Sequence, residues 1–407
     1  MLPDGAVDRL LDSAQTIAKV CRSSGVKQWD LIGFQSYGHQ LDIEAGKISM
    51  AAGGGEGGFG VRVVDDGRFG FAHLVDASAA EKAVQQAVAI AKKSPSVSGF
   101  VLPSEQPAED VSGRMDKHIL DIGPEDLLEQ ADTVLSHVRS TDERAVVTGG
   151  GVGVSATASC LMNSEGILSS GITTSHGIGV QVSIDVDGQL TSSWQGQSSR
   201  SLLPAVPECV SRAVHWAQVT QNPLNVESSA VETPVLLTSE GFSPLFSMVV
   251  PPAMTGEKMV RKESFWSESM GKEVLNPSLS LHDDGLLNGG MSSGSRDAEG
   301  VPRRRQTLVE NGTLSNMLWS TRDAAQQVAE GRIEDASSTG SASSGGHQSP
   351  PSTGCTELFL TSSQPSMTME QLLETMGDGY IVNSVMGAHT ANPVSYTHLR
   401  AHETPAN

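Results

Sequence analysis

The chain has 407 residues, enough for two or three domains, and its 27 Lys and Arg against 47 Asp and Glu leave a net charge of −20. A field of that sign repels phosphate backbones and anionic lipid surfaces, which argues against nucleic acid and membranes as partners. With 38% hydrophobic and 18% charged residues, the chain is too apolar to be disordered, yet no apolar run approaches the ~20 residues of a bilayer crossing.

The start of the sequence and the cysteines favour the cytoplasm. No basic leader or apolar block precedes a small-residue cleavage site, so export is not signalled. The cysteines lie far apart, without the C-x-x-C pair that would indicate a redox or metal site. We expect reduced, mostly buried thiols at Cys21, Cys160, Cys209 and Cys355.

Residues 1–110 are predicted to form an N-terminal helix and an antiparallel sheet. Apolar residues recur at helical spacing over 7–21, and residues 30–74 form strand-like runs with a hairpin turn at Asp66-Gly67. A capping box, Ser78-x-x-Glu81, opens a second helix. The stretch 94–110 is rich in Ser, Pro and Glu and loses all periodicity, which is typical of a linker.

A second unit, of α/β type, is predicted over residues 111–228. Helical patterns at 124–139 and 203–219 flank a long β region at 145–195. Within that region hydrophobic and polar residues alternate, which indicates a sheet with one buried face.

The third unit, residues 229–393, combines short strands with a hairpin across Asn311-Gly312 and helices at 322–330 and 368–376. We expect its last strand, 380–386, to be largely buried. The predicted fold class is therefore α+β, with an N-terminal helix plus antiparallel-sheet domain, a second α/β unit and a strand-rich C-terminal domain.

Two glycine motifs match known fingerprints without their structural context. Gly53-x-Gly55-x-x-Gly58 has the dinucleotide-binding spacing, but a phosphate cradle must open a helix, and the residues that follow predict a strand. Gly290-Met291-Ser292-Ser293-Gly294 matches G-x-S-x-G, but neither a buried strand nor an apolar helix flanks it. We predict a glycine-rich strand and a plain surface loop.

Residues 337–353 are rich in Ser and Gly, which predicts either a mobile loop or a backbone laid closely against another part of the protein. Small residues also permit pairing with an extended chain. We hypothesise that this segment borders a peptide path or a subunit interface, with Gly340, Gly345 and Gly346 as its candidate residues.

The residues alone indicate neither a catalytic nor a metal site. A helical zinc hydrolase would show H-E-x-x-H, because two imidazoles on one helix face must reach the metal while the Glu activates its water. That motif is absent, and the one His pair at i,i+4 spacing, His398 and His402, encloses no acidic residue. If zinc were found, His282, His347 and His389 would be tested first.

Several blocks in the last third of the chain resemble the TldD/PmbA family of metalloproteases, specifically its PmbA (TldE) branch. Arg261-Lys262-Glu263-Ser264-Phe265 is similar to the family's R-K-S-x-F block, and residues 297–303 to its D-x-E-G-x-x-x-R turn. Thr339-Gly340-Ser341-Ala342 resembles T-G-N-A, and residues 386–393 resemble G-A-H-T-A-N-P-V. The blocks share the family's order, and the resemblance extends over almost the whole chain to Pro393.

The resemblance implies a cytoplasmic two-subunit protease for unfolded peptides or small precursor peptides. In it the TldD-type chain carries an H-E-x-x-x-H zinc helix, and the PmbA-type chain supports that subunit in a heterodimer or larger assembly. The corresponding stretch here, residues 239–256, contains no histidine, and Pro251-Pro252 is expected to interrupt a helix there. Zinc is thus expected on the TldD-like partner and no cofactor in this chain. The alternative is a stand-alone peptide-binding or scaffold homodimer without protease activity.

The end of the chain adds candidates and one anomaly. By resemblance, the further peptide or interface candidates are Gly387, His389, Thr390 and Asn392. After Pro393 the family pattern stops, and residues 394–407 match the translation of a sequencing adapter. We predict that they are a non-native tail joined to an incomplete C-terminal domain.

Overall fold

A computed structural model describes residues 2–221 and 232–385, and its largest element is a six-stranded antiparallel sheet. The strands are β1 (Gln28–Glu44), β2 (Lys47–Asp65), β3 (Arg68–Leu74), β4 (Ala145–Asn163), β5 (Leu168–Val186) and β6 (Gln189–Ser199). Their order is β3-β2-β1-β4-β5-β6. Because β1 pairs with both β2 and β4, the predicted division at residue 110 runs between two halves of one sheet.

Helices cover one face of this sheet. They are α1 (Ala6–Ser23), α2 (Ala80–Ala91), the short α3 (Lys117–Asp121), α4 (Pro124–Thr141) and α5 (Glu208–Val219). Since side chains alternate along a strand, the even-numbered residues of β4 from Val152 to Met162 point into the core beneath these helices. One hydrophobic cluster lies under α1 and α2, and a second lies under α4 and α5.

The predicted helices of this half are confirmed, with one shifted boundary and one wrong start signal. The capping box predicted at Ser78-x-x-Glu81 does not form, because Ser78 lies in a short 3-10 turn (Ala77–Ala79) capped by Asp76, and α2 begins at Ala80 without a side-chain cap. Proline at the first position and a hydrogen bond from Gly123 N–H to Asp126 start α4 where the sequence indicated. The helix predicted from residue 203 begins only at Glu208, because Pro207 takes an extended conformation as its N-cap. The segment around Gly53 to Gly58 lies in β2, as predicted.

The C-terminal part contains short strands and four helices among its described residues. These are β7 (Val235–Leu237), α6 (Ser239–Ala253), α7 (Gly256–Val260), β8 (Leu279–Asp284), β9 (Arg305–Glu310), β10 (Thr313–Leu314), α8 (Thr321–Ala329), β11 (Ala342–Ser343), β12 (Ser352–Thr353), β13 (Leu358–Ser362), α9 (Met369–Met376) and β14 (Tyr380–Val382). Four strands form a sheet in the order β10-β9-β8-β13, with Leu281 and Leu308 in its core. The α+β class is confirmed.

Three expectations about this part are wrong. Residues 290–294 are not a plain surface loop, because Gly290, Ser293 and Gly294 are buried. The last strand is not largely buried: Tyr380 is 43% and Ile381 39% exposed, because β14 is short and pairs with β7 at the surface. The prolines at 251 and 252 do not interrupt the helix, since they lie in the last turn of α6. There the missing N–H groups remove few hydrogen bonds, and Met254 N–H still donates to Val250 O at 3.2 Å.

The cysteine prediction is confirmed. All four are free thiols, of which Cys21, Cys160 and Cys209 are buried, and burial raises the pKa of Cys21 and of Cys160 to about 12. Across residues 2–221 and 232–385, no helix has both the length and the apolar character to cross a membrane.

Candidate functional site

The face of the six-stranded sheet opposite the helices carries glycine and small polar residues. Gly38 of β1 pairs with Gly54 of β2 and with Ser155 of β4, so these residues lie side by side across the sheet. The next row runs Ala52, Gln40, Gly153 and Gly177. Without large side chains to fill it, the concave face forms an open trough of about 1060 Å³.

The trough has an aromatic wall and an acidic character. The ring of Trp194 lies over Gly179, where a Cβ would be only 2.7 Å from Trp194 Cζ2, so glycine is required for this contact. Trp194 remains more than half exposed and offers an apolar surface to a ligand. The lining residues include Asp42 and Glu56 but neither Lys nor Arg, so the trough suits a neutral or cationic chain.

The Ser- and Gly-rich segment contacts the same face of the sheet just beyond this trough. Phe34 lies one row beyond Ser36, a residue of the trough lining, on the same face of β1. The His347 ring packs edge-on against Phe34 with centroids 5.0 Å apart, and a Cβ at Gly346 would lie 3.2 Å from the same ring. The segment is thus a backbone laid against the sheet, one of its two predicted states.

The predicted glycines of this segment have different surroundings. A Cβ at Gly340 would lie 2.4 Å from Pro302 O, whereas Gly345 is exposed and has only Ser349 Oγ within 4 Å, at 3.9 Å. Of these three glycines, only Gly346 therefore lies against Phe34, one row beyond the trough. The other candidates, Gly387, His389, Thr390 and Asn392, lie outside the described residues, as does the tail predicted at 394–407.

Two of the three histidines named for a zinc test, His282 and His347, contact uncharged side chains in the structure. His282 Nδ1 lies 3.1 Å from Thr307 Oγ1, and its Nε2 lies 2.9 Å from Thr361 Oγ1. His347 is buried against Phe34, and His389 is not described. Among the described residues no three His, Cys, Asp or Glu side chains are grouped to hold a metal ion.

The family's zinc does not fit the stretch where the resemblance places it. Residues 239–253 form α6, so a helix is present, but its side chains are Ser, Glu, Phe, Pro, Leu, Met, Val and Ala, without an imidazole. A zinc ligand helix needs histidines on one face. No catalytic step is therefore derived from zinc held by α6.

Helix α6 belongs to an exposed apolar surface. Its Leu245 and Val249 are 36% and 38% exposed, and Val235 and Leu237 of β7 are exposed nearby in the chain. Together with Tyr380 and Ile381 of β14, which pairs with β7, these residues define what we term the apolar face. Because exposed apolar residues that lie together mark interaction surfaces, the apolar face is a candidate for one.

Sequence reasoning missed the trough, although a signal was present. Glycine and small polar residues occur at every second position of β4 and β5 on the open face, for example at Gly151, Gly153 and Ser155. That alternation of small with apolar residues predicts a face left bare. The prediction of a sheet with one buried face used the apolar residues of this alternation and not the small ones.

The fold and the site define an α+β protein in which a sheet with a glycine-rich face contacts a smaller C-terminal domain, whose described helices α6 to α9 contain no histidine. Comparison with known proteins extends this. Residues 29–91 match the family described as PmbA/TldA metallopeptidase domain 1, and residues 230–400 match its C-terminal domain. The chain belongs to this TldD/PmbA family. The second match includes the first residues of the predicted foreign tail.

Known proteins are similar to this chain over most of its length. An uncharacterised protein of Methanocaldococcus jannaschii is 27% identical over 368 residues, 90% of this chain and 81% of its own length. Metalloprotease PmbA of Escherichia coli is 25% identical over 385 residues, 93% of this chain and 81% of its own. The crystal structure of TldE from Thermococcus kodakarensis superposes with a TM-score of 0.81 at 23% identity, covering 93% of this chain and 84% of that one, and shows the shared fold.

Proposed function

We propose that this protein is the PmbA/TldE-like subunit of a two-subunit cytoplasmic metallopeptidase, in which a TldD-type partner supplies the zinc. The observation that carries the proposal is α6, a helix in the stretch assigned to zinc binding that offers no histidine. Membership of a metallopeptidase family supports a role in peptide hydrolysis. The absence of a metal-ligand group from residues 2–221 and 232–385 supports a role beside the catalytic chain.

In this proposal the trough receives an extended segment of an unfolded or small precursor peptide. Its glycine floor lets a second backbone approach closely, while Gln40, Ser155 and Ser175 offer hydrogen-bonding groups. Because the floor carries few large side chains, contacts would be made mainly to the peptide backbone, which suits substrates of varied sequence. Asp42 and Glu56 would favour neutral or basic segments.

The apolar face is the proposed contact surface for the partner. Upon assembly, the side chains of Leu245 and Val249 on α6 would be buried against the partner. Burial of apolar surface contributes about 25 cal/mol of favourable free energy per Å². A TldD-type chain docked there would bring its zinc helix beside the position of α6. The alternative, a stand-alone peptide-binding homodimer, would use the same trough without hydrolysis.

The proposal is tested by co-expression with a TldD-type chain that carries H-E-x-x-x-H. We expect co-purification, zinc in proportion to the partner, and cleavage of an unfolded peptide by the complex but not by this chain alone. The double variant Leu245→Asp and Val249→Asp should abolish co-purification. The matched control Leu190→Asp changes an exposed leucine on the β5–β6 hairpin and should leave assembly intact.

Two results would reject the proposal. Zinc bound stoichiometrically by this chain alone, with chelator-sensitive cleavage, would make it a metallopeptidase in its own right. A stable homodimer that binds peptide and ignores every TldD-type chain would favour the scaffold alternative.

A further inference from the structure

A second cavity, of about 390 Å³, lies between the six-stranded sheet and the C-terminal domain. Its lining is basic and rich in hydroxyl groups, in contrast to the acidic trough and the net charge of the chain. The charged lining residues are Arg114, Arg200, Arg296, Arg303 and Asp297. Eight serines join them: Ser159, Ser169, Ser170, Ser292, Ser293, Ser295, Ser343 and Ser344.

Arg114 has no partner for its guanidinium among the described residues. Its Nε is buried and unbonded, and none of its nitrogens donates a hydrogen bond or lies within 4.0 Å of a carboxylate oxygen of a described residue. The group spans the cavity wall, with Cζ 3.7 Å from the Cβ position of Gly294 and Nη1 3.8 Å from that of Gly171. A half-buried guanidinium whose buried Nε has no acceptor among the described residues is costly unless a ligand provides one.

Arg200 and Arg303 are held in place by neutral acceptors. Arg200 Nη1 donates to Thr174 O at 3.0 Å, and its other nitrogens reach the carbonyls of Gly290 and Met291. Arg303 donates to Arg296 O at 3.2 Å and to the Thr356 hydroxyl. Neither forms an ion pair with a described residue, so their charges remain uncompensated at contact distance.

The acidic groups near the cavity are engaged elsewhere. Asp297 accepts the backbone N–H groups of Glu299, Val301 and Ala342, at 2.9 to 3.0 Å. Glu357 accepts from Ser292 N–H, and Asp283 accepts from the backbone of Thr356 and Glu357. Of the four arginines that line the cavity, only Arg296 has a carboxylate of a described residue at contact distance, that of Glu105.

Two further observations indicate an anionic ligand. Ser293 is 4% exposed, lines the cavity, and has a buried hydroxyl without a partner. Burial lowers the pKa of Arg200, the nearby charge of Arg114 lowers it further, and Glu357 raises it, so the guanidinium groups of Arg200 and Arg114 are close enough to repel each other.

We propose that this cavity binds a small oxyanion, a carboxylate or a phosphate, with the Arg114 guanidinium as its principal unpaired donor. Arg200 and Arg303 supply positive potential, and the Ser293 hydroxyl supplies a further donor. A planar guanidinium pairs with either oxyanion through two parallel N–H bonds. The anion has two possible sources, the C-terminal carboxylate of a peptide or free inorganic phosphate. The inference does not depend on the proposed peptidase role.

The test uses the full chain and three probes at constant ionic strength. These are inorganic phosphate, an acetylated tripeptide with a free C-terminal carboxylate, and the same tripeptide as its C-terminal amide. Titration calorimetry and thermal unfolding should show binding that Arg114→Gln weakens about tenfold or more, the loss of at least one charge-assisted hydrogen bond. Arg114→Lys keeps the positive charge but lacks the two parallel N–H donors of the guanidinium, so this variant should bind the oxyanion with intermediate affinity.

The matched control is Arg139→Gln, which removes the charge of an exposed arginine on α4 and should leave binding unchanged. Since Arg114 makes no hydrogen bond to described residues, Arg114→Gln should fold with an unchanged or raised Tm in the absence of a probe. Binding of the free peptide acid but not the amide assigns the site to peptide termini. Binding of phosphate alone assigns it to free anions. No binding of either oxyanion, or equal binding by wild type and Arg114→Gln, would overturn the proposal.

Discussion

Arg62 of β2 donates from Nη1 to Glu299 Oε1 at 2.8 Å, which joins the six-stranded sheet to the C-terminal domain through a buried ion pair. Arg62 also binds Asp30 of β1 through Nε and Nη2, and Glu299 accepts the backbone N–H of Thr321 at the start of α8. Arg62 is only 2% exposed. Burial alone would lower its pKa, but the two carboxylates outweigh burial, so the pKa of Arg62 lies above its ordinary value.

Breaking this junction should destabilise the protein. Glu299→Gln removes one carboxylate from a buried guanidinium, and we expect a loss of about 2 kcal/mol in the free energy of unfolding, measured by urea denaturation. In a double-mutant cycle with Arg62→Met, the combined loss should be smaller than the sum, because both changes remove the same interaction. Glu268→Gln, at the exposed pair with Lys262, should cost close to nothing. If the losses of the two single variants simply add in the double variant, Arg62 and Glu299 do not stabilise the fold through their mutual contact.

Asp297 should make stability depend on pH between about 4 and 6. Burial, with a contribution from Glu299, raises its pKa from 3.8 to about 6, so the folded protein binds a proton more readily than the unfolded chain. This carboxyl therefore favours folding at low pH, and that contribution is lost as the pH rises through 6. Relative to Asp297→Asn, wild type should gain about 1 kcal/mol between pH 7 and pH 5. If the difference in free energy of unfolding between wild type and Asp297→Asn does not change between pH 7 and pH 5, the pKa of Asp297 is not raised.

The two glycines of the Ser- and Gly-rich segment should respond differently to valine. Gly340 has φ +73° and would bring a Cβ within 2.4 Å of Pro302 O, so Gly340→Val should cost about 3 kcal/mol. Gly345→Val should be tolerated, because its surroundings are open. Thermal unfolding of the two variants tests this directly. If Gly345→Val folds normally but impairs assembly or cleavage, the segment borders the interface as hypothesised.

Filling the trough should impair peptide binding without harming the fold. A Cβ at Gly54 meets no atom within 4 Å, so Gly54→Leu projects into the open trough and should change stability by less than about 0.5 kcal/mol. In the complex proposed with a TldD-type chain, the KM for an unfolded peptide should rise about tenfold, equivalent to some 1.4 kcal/mol. Ala51→Leu, on the same strand but the opposite face, is the control and should leave the KM unchanged. Equal effects of the two variants would remove the trough as a binding site.

Local signals predicted much of the secondary structure because their causes lie within a few residues. The helix predicted over 368–376 is α9, which a capping box of Thr368 and Gln371 starts, and the Asn311-Gly312 turn separates β9 from β10. Apolar periodicity predicted α1, whose buried residues include Leu10, Ala14 and Ile17. Where local rules gave errors, as at Pro251 in α6 and at Tyr380 in β14, the deciding factors were position within the helix and the choice of pairing strand.

The sequence by itself determined the α+β class, the family resemblance and the absence of an H-E-x-x-x-H helix, because composition, periodicity and motif spacing are properties of the chain alone. Only the tertiary structure decided that β1 joins two segments into one sheet, and that Gly54, Gly38 and Ser155 lie in one row. It also gathered Arg114, Arg200 and Arg303, far apart in sequence, around one cavity. Strand register and domain contact set which distant residues become neighbours, and those depend on the free energy of the whole fold rather than on any local pattern.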